Sequence, residues 1–428
     1  MIDFKKETIC DHVHFNSIHD DRFKTGRISA TVFLPLSEDT ASKNAILPFM
    51  LKNRCKQYPN LIEMNKRLSE LYGATIHATV FKLGEAQAFT LSASGIDGRY
   101  TFYKEDVCLE LSKLLRDILF DPVLDENGIF LQKDFLQEKR QLIDLIESEY
   151  NDKRAFAKLR CEELMCKNER FGISRFGSLE QVKQMTPEDA TAAWKNALHN
   201  ARIEFLQLGD ADSSLSYDVL KDAFSKIKRG PVEECQTELI KKADGIHEYN
   251  DTMDVSQCKL VLGLRTGVAE PDEQVMAMRL FAALYGGTPH SKLFLNVREK
   301  MSLCYYCSAR YDRNKGILLV QSGVEKQNID KARQEILNQL KLLQNGAFTK
   351  EELDATKLSV ENSFRTTADY LGGLENFYLT QMFDRTILTP EELAKAVGKV
   401  TREQVIDAAK RVTLDTIYTL RSSEEGTK

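Results

Sequence analysis

The chain has 428 residues, more than one hydrophobic core usually serves, so two or more domains are expected. Hydrophobic residues make up 42% of it and charged residues 29%, the balance of a soluble globular protein. The formal net charge of -5 is small for this length. It gives no electrostatic reason to expect a nucleic acid or an anionic membrane as a partner.

The first residues contain no apolar run suited to a secretory signal, and no stretch approaches the roughly 20 apolar residues that a membrane helix requires. The nine cysteines are scattered and odd in number, unlike the dense, even set of a secreted disulfide framework. These features predict a cytoplasmic protein with reduced thiols.

The first half of the chain contains alternating signals for helices and strands. In chain order, these predict a helix near 43–56, strands Ile76–Leu83 and Ala88–Ser94, a long helical segment Glu138–Met165 and strand Ile203–Leu208. Thr186 and Asp189 form a capping-box pattern, which predicts the start of a helix directly before the last strand.

The second half repeats this order of elements. It predicts strands Cys304–Arg310 and Ile317–Ser322, a long helical segment Thr349–Phe383 and strand Thr416–Arg421. Thr401 and Gln404 again form a capping-box pattern before the last strand. Since matching landmarks recur at similar offsets, the sequence predicts two homologous α+β lobes, each an antiparallel sheet covered by helices. The expected lobes are 1–212 and 240–428, with a polar linker at 213–239.

The most specific segment starts at Gly286-Gly287 and continues to the Arg-Glu-Lys run at Arg298 and then to Tyr305. It resembles the second-half signature of the pitrilysin/insulinase peptidase family, in which a Gly-Gly loop precedes a helix ending in Arg-Glu-Lys and a strand that carries tyrosine. The resemblance implies that Arg298 and Tyr305 bind a substrate peptide near the scissile bond. Arginine offers a fork of donors to a carbonyl group, and a tyrosine hydroxyl can donate to a developing oxyanion. A surface arginine and a half-buried strand tyrosine are the plain alternative.

The zinc site of the family is degenerate in this sequence. Catalytic members carry His-x-x-Glu-His on the first long helix, where two histidines one turn apart share zinc and the glutamate activates water. At the matching positions this chain has Pro48, Leu51 and Lys52. The third ligand of the family is a glutamate that follows the position of Glu138, and here it is replaced by Leu145. The resemblance therefore implies that the chain has no catalytic residue and no metal site.

Family members that lack the zinc motif but keep the Arg/Tyr pair are typically partners of a catalytic chain. Among small bacterial members, the sequence most resembles the non-catalytic YmfF-like group. The resemblance implies a pseudo-enzyme that does not cleave peptides alone. It would bind a peptide or unfolded polypeptide and complete the chamber of a catalytic homologue as a heterodimer, or self-associate as a dimer. No cofactor is expected, because zinc would belong to the partner.

Two other interpretations of the function remain open. His12 and His14, with His19 nearby, would share a face if they lay on one strand, which would allow a hydrolase with a different metal site. Exposed histidines on an edge strand are the simpler interpretation. A purely structural subunit is the other alternative. Cys304 and Cys307 are three residues apart on a predicted strand, so they are expected on opposite faces and not as a metal site.

Overall fold

The computed structural model of the protein describes residues 3–423, which form two compact units. The first unit contains the residues up to Ile146, Ile173–Gln236 and Tyr370–Asn376, and the second contains Glu147–Gly172, Thr237–Asp369 and the residues from Phe377 onward. Each unit therefore includes a short segment from the other half of the sequence. The predicted lobes, 1–212 and 240–428, are continuous ranges and do not include this exchange.

Each unit is built on one sheet. The strands are β1 (Asp3–Cys10), β2 (Val13–His19), β3 (Thr25–Pro35), β4 (Thr75–Leu83), β5 (Ala86–Ile96), β6 (Arg202–Gly209), β7 (His247–Met253), β8 (Cys258–Arg265), β9 (Cys304–Asp312), β10 (Ile317–Val324) and β11 (Thr413–Ser422). The six predicted strands are all present, and each observed strand contains the predicted range.

The helices occupy the intervening stretches. They are α1 (Ala41–Ala45), α2 (Leu47–Lys52), α3 (Leu61–Glu70), α4 (Val107–Phe120), α5 (Gln132–Asn151), α6 (Lys153–Met165), α7 (Leu179–Gln184), α8 (Pro187–Asn200), α9 (Ser214–Ser225), α10 (Val275–Ala282), α11 (Ile329–Gln344), α12 (Lys350–Thr367), α13 (Leu371–Leu379), α14 (Pro390–Lys399) and α15 (Arg402–Arg411). Two π-helical segments follow α10, at Ala283–Gly287 and Leu293–Lys300. No helix within residues 3–423 is both long and apolar enough to cross a bilayer.

The two sheets share one topology. The first has the strand order β1-β2-β6-β3-β5-β4 and the second has β7-β11-β8-β10-β9. In each sheet one pair is parallel, β2 with β6 and β7 with β11, and the other pairs are antiparallel. The second sheet thus repeats the first without β1. This repetition confirms the internal duplication and the α+β fold that the sequence predicts.

The long helical segments are both interrupted, which the sequence prediction missed. Glu138–Met165 contains parts of two helices, and Asp152 caps the second by accepting hydrogen bonds from the backbone of Arg154 and Ala155. In the second half, α12 ends at Thr367 and α13 starts at Leu371. Near each break the chain passes from one compact unit to the other, which explains the exchanged segments.

A buried ionic network holds the exchanged segment Glu147–Gly172 within the second unit. The carboxylate of Glu169 accepts hydrogen bonds from Arg265 at 2.6 and 3.0 Å and pairs with Lys315 at 2.6 Å. Arg265 also pairs with Asp415 at 2.8 Å. The side chains of Arg265 and Lys315 are 3% and 0% exposed. Because buried charges require partners, this network fixes α6 to the second sheet.

The stretch predicted as a linker is partly helical. Helix α9 lies within 213–239 and packs against α4 of the first unit. Its buried residues Ser216, Leu220 and Phe224 recur at helical spacing, so the pattern of an amphipathic helix is present in the sequence. The segment without regular structure is limited to 228–246.

Candidate functional site

The degenerate zinc-motif positions lie on two helices of the first unit. Pro48 is in the first turn of α2, Leu51 is buried near its end, and Lys52 is its last residue, with its ammonium group 5.4 Å from the centre of the Phe49 ring. Leu145 lies on α5 and is partly exposed. None of these four side chains offers a zinc ligand, since proline and leucine have no donor atom and lysine carries a positive charge.

The retained glutamate links α5 to the residues that directly follow α2. Glu138 is fully buried on α5, and its carboxylate accepts hydrogen bonds from Asn53 at 3.1 Å and Arg54 at 3.3 Å, the residues directly after α2. Burial raises the pKa of Glu138, while the Asn53 hydrogen bond and the charges of Arg54 and Lys52 oppose that rise. Within residues 3–423 there is no group of three or more His, Cys, Asp or Glu side chains that could hold a metal. The donors at this position do not fit the zinc ion of the family.

The N-terminal histidines do not share a site. His12 lies in the turn between β1 and β2 with a positive φ of 55°, so it is not on a strand with His14 as the sequence prediction assumed. Each of the three histidines lies nearest to its own carboxylate: Asp11 for His12, Glu204 for His14 and Asp210 for His19. This arrangement removes the geometric basis for a shared metal site.

Arg298 and Tyr305, in contrast, line one cavity of the second unit. The cavity has a volume of about 430 Å³ and lies where the π-helical segment Leu293–Lys300 turns into β9. Ser302 makes this tight turn with a φ of 50°. The guanidinium of Arg298 lies over the Phe294 ring, 4.6 Å from its centre, which holds the side chain at the cavity wall.

The hydroxyl of Tyr305 faces an acidic residue that the sequence prediction missed. It donates a hydrogen bond to the carboxylate of Glu325 at 3.3 Å, and Gln327 donates to the same carboxylate at 2.6 Å. The Tyr305 bond is longer than the usual 2.5–3.0 Å for O–H···O. Glu325 follows β10, and its proximity depends on strand pairing that sequence spacing does not reveal.

The Gly-Gly motif has a steric reason. A Cβ atom on Gly286 would lie 2.6 Å from the backbone nitrogen of Ala309, which belongs to β9. On Gly287 the nearest atom would be the carbonyl oxygen of Ala282 at 3.3 Å. Only glycine at position 286 therefore lets the π-helical turn approach the strand that carries Tyr305.

Cys304 and Cys307 depart from the sequence prediction. A β-bulge shifts the register of β9 against β10, so that Cys307 pairs with Ser322 and Cys304 pairs with Val324. Cys304 and Cys307 are three residues apart on β9, but their partners on β10 are only two residues apart. Since side chains two apart on a strand share a face, both cysteines lie on one face of the sheet. Cys304 also lines the cavity with Arg298 and Tyr305.

Comparisons with known proteins agree with this architecture. A family model described as Peptidase M16 inactive domain matches residues 184–360. The probable inactive metalloprotease YmfF of Bacillus subtilis (strain 168) is 31% identical over 407 residues, covering 95% of each chain.

Solved structures match over nearly the whole chain. A conserved protein from Enterococcus faecalis V583 has a TM-score of 0.89 at 27% identity, covering 99% of this chain and 100% of that one. The peptidase M16 inactive domain from Pseudomonas fluorescens has a TM-score of 0.77 at 15% identity, covering 100% of this chain and 99% of that one, which shows the shared fold alone. With a relative above 30% identity across almost its full length, the chain belongs to the M16 peptidase family, the pitrilysin/insulinase family, as an inactive, metallopeptidase-like member.

Proposed function

We propose that this protein is a non-catalytic subunit that binds extended peptide at the cavity of Arg298 and Tyr305, while a catalytic M16 homologue supplies zinc and the general base. The proposal is based on a contrast between the zinc-motif positions and the Arg/Tyr pair of this chain. The zinc-motif positions lack metal ligands, whereas the Arg/Tyr pair lies together at an open cavity.

The polar groups of the cavity suit a peptide backbone. Arg298 presents N–H donors to carbonyl oxygens, and the carboxylates of Glu299 and Glu325 accept from backbone N–H groups. Charges of both signs line the cavity wall. The cavity therefore fits the alternating N–H and C=O dipoles of a peptide backbone better than it fits a single charged side chain. The occupant is therefore an unfolded segment, and its net charge has little effect on binding.

Loss of the pair is expected to weaken peptide binding selectively. A hydrogen bond from a charged group contributes about 1.5–3 kcal/mol, so Arg298→Met should raise Kd roughly 10- to 150-fold. Tyr305→Phe removes a neutral hydrogen bond and should raise Kd by about 2- to 10-fold. Fluorescence anisotropy with a labelled unstructured peptide measures both effects.

The chain offers matched controls for both substitutions. Arg310 is an exposed arginine of β9 that does not line the cavity, and Tyr370 is 61% exposed, close to the 62% of Tyr305. Arg310→Met and Tyr370→Phe should leave Kd unchanged. Equal losses in the control variants, or none in the cavity variants, would refute the peptide-binding role.

Pairing with a catalytic homologue is tested by mixing. We expect the isolated chain to cleave no peptide, and a mixture with an M16 homologue that carries intact His-x-x-Glu-His to cleave it faster than that homologue alone. Arg298→Met should abolish the gain without preventing assembly, measured by size-exclusion chromatography. If cleavage persists while the complex assembles, the chain has the purely structural role instead.

A further inference from the structure

Cys304 occupies a chemically distinctive position. It lines the cavity beside Arg298 and Tyr305 and is half-buried, whereas Cys307 behind it is buried. The β-bulge described above turns the two thiols to one face of the sheet. A second thiol therefore lies next to a cysteine that faces solvent through the cavity mouth.

The neighbours of Cys304 favour its thiolate. The hydrogen bond from Cys307 and the nearby charge of Arg298 lower the pKa of Cys304 to about 7, although burial opposes the shift. Burial instead raises the pKa of Cys10, Cys55 and Cys108, which matches structural thiols.

Cys304 is half-buried and lines the open cavity, so a small disulfide from solution can approach its thiol there.

We propose that Cys304 is a modification site for low-molecular-weight disulfides and that the added group blocks the peptide cavity. The Cys304 thiolate attacks one sulfur of the disulfide, forming a new S–S bond as the original S–S bond breaks. The departing thiolate takes a proton from water. Cys307 is a positioning residue, because its S–H stabilises the attacking thiolate. The blocking effect rests on the proposed peptide-binding role, whereas the reactivity of Cys304 does not.

The reactivity is tested with 5,5′-dithiobis(2-nitrobenzoic acid), an aromatic disulfide whose release of thiolate is followed by absorbance. The native chain should show one fast thiol, mapped to Cys304 by peptide mass spectrometry, with a rate midpoint near pH 7. Cys304→Ser should abolish this phase, and Cys10→Ser, another half-buried cysteine, should retain it. Cys307→Ser should keep the reaction but move its midpoint toward the usual thiol pKa of about 8.5. A fast phase that maps elsewhere or survives in Cys304→Ser would overturn the proposal.

Blocking is tested separately on peptide binding. After treatment with oxidised glutathione, the native chain should bind the labelled peptide at least about tenfold more weakly, and dithiothreitol should restore binding. The Kd of Cys304→Ser for the peptide, whatever its value before treatment, should be unchanged by oxidised glutathione. If modified and unmodified chains bind peptide equally, the blocking role is wrong. If neither binds peptide, the proposed function fails while the pH-dependent reactivity of Cys304 remains a separate result.

Discussion

The buried carboxylate of Glu169 is the group on which we expect the second unit to depend most. It is 7% exposed and interacts with two cations that are almost completely buried, Arg265 and Lys315. At a separation of 2.6 Å and an effective dielectric constant of about 20, each attraction is roughly 6 kcal/mol before the cost of burial is subtracted. Breaking a buried pair by removing one partner typically costs about 3–5 kcal/mol net. Since Arg265 keeps Asp415, we expect Glu169→Gln to lose about 3 kcal/mol of unfolding free energy.

The assay is urea denaturation followed by far-UV circular dichroism, with two internal references. Trp194 is the single tryptophan of the chain and is buried in the first unit, so its fluorescence reports that unit separately. The matched control is Glu163→Gln, because Glu163 pairs with Arg160 but is 56% exposed. We expect this control to change stability by less than about 0.5 kcal/mol. A Glu169→Gln variant as stable as the control would refute the assigned role of the buried network.

Three further predictions concern packing, pH and capping. Gly286→Ala should destabilise the second unit by about 1–3 kcal/mol in thermal unfolding, because its Cβ would lie 2.6 Å from the backbone nitrogen of Ala309. Gly287→Ala should cost less, because its closest backbone atom would be 3.3 Å away. Burial alone would raise the pKa of Glu204, but the His14 hydrogen bond and the charges of Arg202 and Lys6 lower it to about 2. The folded state is therefore stabilised above the unfolded pKa of about 4.5, and this contribution, about 3 kcal/mol, is lost as pH falls from there to about 2. The stability difference between native and Glu204→Gln chains should vanish across that window in acid titrations, and a constant difference would contradict the assignment. Thr349→Ala removes the side-chain cap of α12 and should cost about 1 kcal/mol in urea denaturation, with no loss if the cap is dispensable.

Local sequence patterns predicted those parts of the fold that depend on neighbouring residues. The predicted capping boxes at Thr186 and Thr401 are both formed, because a hydroxyl and a carboxylate or amide group three residues apart meet in the first turn of a helix. The strands and their duplicated order follow from alternating apolar runs in the same way. Asp152 is an N-cap residue type, so the sequence contains a signal for the helix break. The prediction missed it because the residues on both sides also have a helical pattern.

Features that depend on tertiary pairing were not predictable from the sequence. The bulge that brings Cys304 beside Cys307 exists only because β9 pairs with β10 in a shifted register. The approach of Glu325 to Tyr305 has the same origin. Arg298 and Tyr305, the pair indicated by the family motif, line one cavity, but the motif contained no information about the carboxylate opposite them. The substrate role of the pair and the cytoplasmic location remain predictions.

The central claim is that this chain cannot assemble the zinc centre of its family, and zinc analysis tests it most directly. The purified native chain, dialysed against buffered zinc and then against zinc-free buffer, is measured by inductively coupled plasma mass spectrometry. An M16 homologue with intact His-x-x-Glu-His, treated in parallel, should retain about one zinc ion per chain. We predict a content near zero for this protein. A content near one, lost on substitution of side chains at the ends of α2 and α5, would contradict the account.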